Sequence, residues 1–179
     1  VHEETATITV VSVNDNPDAT FNTGAGGLTV NEDAGAQSIS GTSATPFVTA
    51  TDVGDGGLLE SGQTISYAVT NSQNSLFAVQ PAIANNGTLT FTPADNANGS
   101  ASITVDVRDS AGGNTVKSNA FTITVNAVND EPSQTLRSVP VVLEDAGQQS
   151  IANFVAATTK GGGSDENSQT LSFALSNTN

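Results

Sequence analysis

The sequence predicts an all-β chain, a Greek-key β-sandwich repeated in tandem. Three observations carry that expectation. Apolar residues alternate with Thr and Ser at period two, as on a sheet with one buried face. Small turn-forming residues separate the alternating runs at short intervals. Four sequence blocks also occur twice in the same order, which marks a repeat architecture.

The repeat sets the organisation. Thr7-Ile8-Thr9-Val10 with Val13-Asn14-Asp15-Asn16-Pro17 returns as Thr122-Ile123-Thr124-Val125 with Val128-Asn129-Asp130-Glu131-Pro132. Val30-Asn31-Glu32-Asp33-Ala34-Gly35 returns as Val142-Leu143-Glu144-Asp145-Ala146-Gly147. Phe47 to Thr51 returns as Phe154 to Thr158, and Gln63 to Ala68 as Gln169 to Ala174. Residues 1–13 then read as the last strand of a preceding repeat, 14–130 as a complete repeat, and 131–179 as the first half of a following one. The register predicts a segment of a longer array. The alternative is half-repeats completed by strand exchange with neighbouring chains.

Within the complete repeat, strands are predicted near 28–30, 37–40, 47–51, 64–70, 76–80, 88–92, 101–108 and 116–126. Ile103, Val105 and Val107 alternate with Thr104, Asp106 and Arg108, and Phe121, Ile123 and Val125 alternate with Thr122 and Thr124. Leu89 and Phe91 sit between threonines, and Ile65, Tyr67 and Val69 flank Ser66 and Ala68. Asn86-Gly87 suits a tight hairpin turn. Gly112-Gly113-Asn114 turns the last hairpin, and Gly54 to Gly57 open a long loop.

Charge narrows the function. The chain carries 18 acidic and 4 basic residues, a net charge of −14. Such a balance repels phosphate backbones and anionic headgroups, so neither nucleic acid nor membrane is expected as a partner. Cys is absent, so no disulfide framework stiffens the fold, and a bound metal is the obvious substitute. The acids gather where strands end: Asn14-Asp15-Asn16 and Asn129-Asp130-Glu131 in the linkers, then Glu32-Asp33, Asp52 and Asp55 with Glu60, Asp95-Asn96, and Asp106 with Asp109. Calcium takes six to eight oxygen ligands from such loops. Without a cation, each carboxylate pair at about 4 Å costs roughly 1 kcal/mol in water, and more at lower dielectric.

On these residues the chain resembles cadherin repeats, in the form common to large bacterial surface adhesins. Asn14-Asp15-Asn16-Pro17 is similar to the linker signature D-x-N-D-N-x-P, and Phe47 to Asp52 with Gly54, Asp55 and Ile65-Ser66-Tyr67 is similar to V-x-A-x-D-A-D-x-G…I-x-Y. Val105 to Asp109 resembles V-x-A-x-D, and Thr90 to Asn96 with Asn98-Gly99 resembles the bacterial form. The resemblance implies an immunoglobulin/cadherin-like sandwich with Ca²⁺ at two junctions. Asn14, Asp15 and Asn16 would meet Asp52, Asp55 and Asp109 at the first. Glu32, Asp95, Asn129, Asp130 and Glu131 would form the second, and Glu144 would serve a third. Departures imply fewer ions: Ser12 and Ala127 replace the first linker Asp, Ala97 replaces an acid of D-R-E, and Thr159 stands where Asp52 stood. The second junction should be weaker unless Asp165 and Glu166 substitute.

The resemblance further implies an extracellular extender repeat, stiffened by calcium, whose partners are neighbouring repeats or other copies of the fibre. Catalysis is not expected. His2 is alone, no G-x-S-x-G elbow occurs, and the paired carboxylates lie in linkers, with one Tyr and no Trp to hold a sugar. A carbohydrate- or surface-binding module is the competing reading, suggested by Thr88, Thr90 and Thr92, although threonine there is ordinary strand chemistry. Asn86-Gly87-Thr88 and Asn98-Gly99-Ser100 match the glycosylation pattern and are read as turns.

Overall fold

The computed structural model describes every residue except 1, 12, 24–26, 41–46, 55–59, 112–116 and 177–179. Asp55, the turn at Gly112 to Asn114, and the loop beyond Gly54 therefore lie outside the described residues. The chain is all-β, as expected. Its strands are β1 (Asp18–Phe21), β2 (Leu28–Asn31), β3 (Gln37–Ile39), β4 (Val48–Asp52), β5 (Ile65–Asn71), β6 (Phe77–Ile83), β7 (Leu89–Pro93), β8 (Gly99–Asp109), β9 (Lys117–Asn126), β10 (Ser133–Leu136) and β11 (Val155–Thr159).

Four strands form one sheet in the order β2-β9-β8-β5, and three form another in the order β3-β7-β6. β2 runs parallel to β9, whereas the other pairings are antiparallel. A backbone bond from Phe47 N to Ser40 O (3.0 Å) brings the start of β4 to the end of β3. β4 in turn pairs with β1 in a two-stranded sheet of its own, as β10 does with β11. Alternation explains the core. Ala101, Ile103, Val105 and Val107 of β8 and Ile123 of β9 point inward with no exposed surface. They meet Phe77, Leu89 and Phe91 from the other sheet in one apolar cluster. Phe47 is fully buried and touches the rings of Phe21 (5.7 Å) and Phe121 (5.3 Å). Burial beside this cluster pushes the Tyr67 phenol above its usual pKa.

Two short strands escaped the sequence reading. β1 buries only Ala19 and β10 buries nothing, so neither shows usable alternation; each exists because a distant strand pairs with it. Together they show one local pairing twice. β1–β4 and β10–β11 share one register, with Asp18 opposite Asp52 in one copy and Ser133 opposite Thr159 in the other. Both slip register at the same place, after Thr20 and after Thr135. The side chains of Gln37 and Gln149 bond the same carbonyls of their own turns.

The segment expected to be a preceding repeat's last strand is not in a strand here. Ile8 is 87% and Val10 77% exposed, yet the same Thr-Ile-Thr-Val sequence in β9 buries Ile123 and Val125. The difference lies in the neighbours, because β9 runs between β8 and β2, whereas among the described residues no strand pairs with residues 7–10.

Candidate functional site

Each linker segment, Asn14 to Asn16 and Asn129 to Glu131, meets a loop that lies further along the chain. At the first junction the Asp15 N–H donates to Glu60 Oε1 (3.1 Å). Gln63 Nε2 donates to Asn14 Oδ1 (2.9 Å), and Asn14 Nδ2 donates to Asp109 Oδ2 (3.2 Å). A short turn explains why Glu60 and Gln63 act together: Gln63 N bonds Glu60 O (2.9 Å), holding both side chains toward the linker. Gly54, at φ +137°, packs so closely that a Cβ would fall 2.6 Å from Asp15 Cβ. Only glycine fits that conformation and that gap.

The second junction repeats the pattern. The Asp130 N–H donates to Glu166 Oε1 (3.1 Å), Gln169 Nε2 to Asn129 Oδ1 (2.8 Å), and Gln169 N to Glu166 O (3.0 Å). Gly161, at φ +122°, takes the place of Gly54, with its missing Cβ 2.7 Å from Asp130 Cβ. Here the preceding repeat is also present. Glu32 Oε1 accepts from Val128 N (2.6 Å) and its Oε2 from Asn98 Nδ2 (3.3 Å), and the same amide donates to Asp165 Oδ1 (3.0 Å). Gly162 lies against Asn96 Oδ1 and Asp130 Oδ2, and Gly163 against Asn96 O and Asp165 Oδ1, with no room for a side chain at either. Oxygens of two repeats and their linker thus converge on one glycine pair.

Three glutamates are buried across the two junctions, Glu60 at 4% exposure in the first and Glu32 and Glu166 at 2% in the second. Glu32 is satisfied at both oxygens. Glu60 and Glu166 are not: one oxygen of each holds the linker, while Glu60 Oε2, Glu166 Oε2 and Asp130 Oδ2 are buried without a hydrogen-bond partner. Leaving a charged acceptor unpaired in the interior is costly, so these oxygens are positioned to take a cation or a water. Among the described residues, no three acidic or imidazole groups stand close enough together to hold a metal by themselves. Any ion would therefore draw on amide and peptide oxygens as well, as calcium does.

Among the described residues, the strand-end pair also differs between the junctions. Asp18 and Asp52 face each other across β1–β4, where like charges oppose. In the second copy the pair is Ser133 and Thr159, whose hydroxyls are hydrogen-bonded at 2.9 Å.

Of the residues expected from sequence, Asn14, Asp15 and Asp109 meet at the first junction, with Asp52 on the neighbouring strand end, and Glu32, Asn129 and Asp130 meet at the second. Asn16, Asp95, Glu131 and Glu144 are exposed. At Asp95 the next residues face the joint instead, with Asn96 N bonded to Asp33 Oδ1 (3.1 Å). Sequence reasoning missed the anchoring role of Glu60 and Glu166, and the parts of Asp18, Asn98, Gln63 and Gln169. The signal was present in Glu60-Ser61-Gly62-Gln63 and its echo Glu166-Asn167-Ser168-Gln169. Asp165 and Glu166 do enter the second junction. No family model and no curated protein sequence matches the chain. No helix among the described residues is long and apolar enough to cross a membrane.

Proposed function

We propose that this chain is a calcium-stiffened structural segment of an extracellular adhesin or surface fibre, built from immunoglobulin/cadherin-like Greek-key sandwiches. The parallel β2–β9 pairing and the sheet orders support the finer fold assignment. One observation carries the function: Glu60 and Glu166, in equivalent loops, each grip a linker N–H with one oxygen and leave the other buried and unpaired. A calcium ion at each junction takes up the free oxygen, relieves the repulsion of nearby acids, and fixes one repeat on the next. The role is mechanical, holding successive modules in a rod.

Extracellular calcium modules bind with Kd of about 10⁻⁴ to 10⁻³ M. Free calcium at about a hundred times Kd adds roughly 2.7 kcal/mol per site, a large share of a domain's net stability. The test is thermal unfolding and small-angle scattering of this chain with calcium and with EDTA. Calcium raises the melting temperature and narrows the spread of interdomain distances. Identical curves in both conditions would remove calcium from the reading.

A further inference from the structure

We propose that Asn98 is a deamidation site whose conversion releases an amide clasp between two repeats; the consequence for calcium rests on the function proposed above. Asn98 is half-buried at the second junction. Its amide group donates to Glu32 Oε2 (3.3 Å) in the complete repeat and to Asp165 Oδ1 (3.0 Å) in the next. One –NH₂ group therefore joins carboxylates of two modules. The residue that follows is Gly99, at φ +135°, with nothing within 4 Å of where a Cβ would stand. No side chain shields its nitrogen, and space is open beside it.

That pairing favours intramolecular imide formation. Gly99 N attacks Asn98 Cγ, the N–Cγ bond forms, and the Cγ–Nδ2 bond breaks. Ammonia leaves, carrying the proton displaced from Gly99 N. Water then opens the imide at either carbonyl to give aspartate or isoaspartate, with no oxidant or reductant required. The product exchanges a donor for an acceptor. Where an amide linked Glu32 to Asp165, three carboxylates now face one another without a donor between them. The clasp opens in the absence of a cation, and the added charge strengthens the hold on one, because ligand charge sets calcium affinity. The chain supplies its own control in Asn86-Gly87, in the turn between β6 and β7, where exposed Asn86 Oδ1 accepts from Thr88 N (3.1 Å).

The experiment ages the wild-type chain at mildly alkaline pH and maps aspartate and isoaspartate by peptide mass spectrometry. N98D and N86D are melted in EDTA and titrated with calcium. Asn98 converts; N98D melts several degrees lower in EDTA and binds calcium on the order of tenfold more tightly, while N86D matches the wild type. Asn98→Gln, which closes the imide ring far more slowly, stays intact and separates ageing from misfolding if N98D does not fold. Conversion at Asn86 with Asn98 unchanged overturns the proposal, as does an N98D that behaves like N86D. A wild type indifferent to calcium, with N98D still loosened in EDTA, upholds the clasp and discards the calcium reading.

Discussion

Replacing Glu60 by Gln separates two roles that one carboxylate combines. Gln keeps the oxygen that accepts the Asp15 N–H at 3.1 Å and puts an –NH₂ group where the unpaired Oε2 lies. Two effects oppose each other in EDTA. A hydrogen bond to a charged group contributes about 1.5–3 kcal/mol and a neutral one about 0.5–1.5, so the grip on the linker weakens by about 1 kcal/mol. An –NH₂ group in that place, at 4% residue exposure, is itself a buried donor without a partner and costs about 1–3 kcal/mol where the charged oxygen cost more, so only the difference, about 1 kcal/mol, is regained. The two effects offset. E60Q is therefore within about 1 kcal/mol of the wild type in EDTA. In saturating calcium it falls behind, because up to about 2.7 kcal/mol of linkage is lost. Urea unfolding in both conditions, with midpoints and slopes compared, reads the difference. An E60Q chain weakened equally in EDTA and calcium would show that Glu60 only latches the linker and holds no ion.

Three further outcomes follow from the same geometry. Asp52→Thr leaves Asp18 opposite a hydroxyl that can donate to it in place of a second carboxylate; it raises stability in EDTA and reduces the calcium increment, read by calorimetry, and an unchanged increment would exclude Asp52 from the site. Gly162→Ala drives a methyl group onto Asn96 Oδ1 and Asp130 Oδ2, so the second junction opens and scattering shows a broader interdomain distribution even in calcium, while the core, remote from Gly162, unfolds as before. Tyr67 has a raised folded pKa, so the neutral phenol is favoured in the native state. Its contribution is constant below the unfolded value of about 10 and is lost as pH rises above it; absorbance-detected alkaline titration with parallel unfolding curves checks this, and Tyr67→Phe removes that step.

The sandwich was legible in sequence because its deciding signal is local. Ile103, Val105 and Val107 alternate within one strand, and their partners across the core do the same, so period and turn residues locate the strands without knowledge of the fold. β1 and β10 were invisible for the converse reason: Asp18 to Phe21 acquires strand character only from β4, whose start lies beyond two intervening strands. The junctions were half legible. Acidic linkers advertise themselves by composition, and Asn14, Asp15 and Asp130 are where composition put them. Glu60 was grouped with the acids of its loop and Glu166 named as a substitute, but their burial and their grip on the linker did not show, because a glutamate in a Gly- and Ser-rich loop looks like a solvated residue. What buries it is the three-residue step to Gln63 or Gln169 and the close approach of Gly54 or Gly161 to the linker, and neither is a property of the acid itself.

The two copies also show which parts of the joint are fixed and which can vary. The glutamate on the linker N–H, the glutamine on the linker Asn and the left-handed glycine against the linker Asp occur at both junctions, with bond lengths that differ by no more than 0.1 Å. Those three contacts tie each linker to the loop that follows it. The pair at the strand end changes from Asp18–Asp52, two opposed carboxylates, to Ser133–Thr159, two hydroxyls bonded to each other. On the function proposed above, geometry and ion demand would then rest on different residues, and each joint could be tuned to its own calcium concentration without a change of shape. Exchanging the pairs, with D18S and D52T at one junction and S133D and T159D at the other, should move the calcium response between junctions and leave the scattering profile in saturating calcium unchanged.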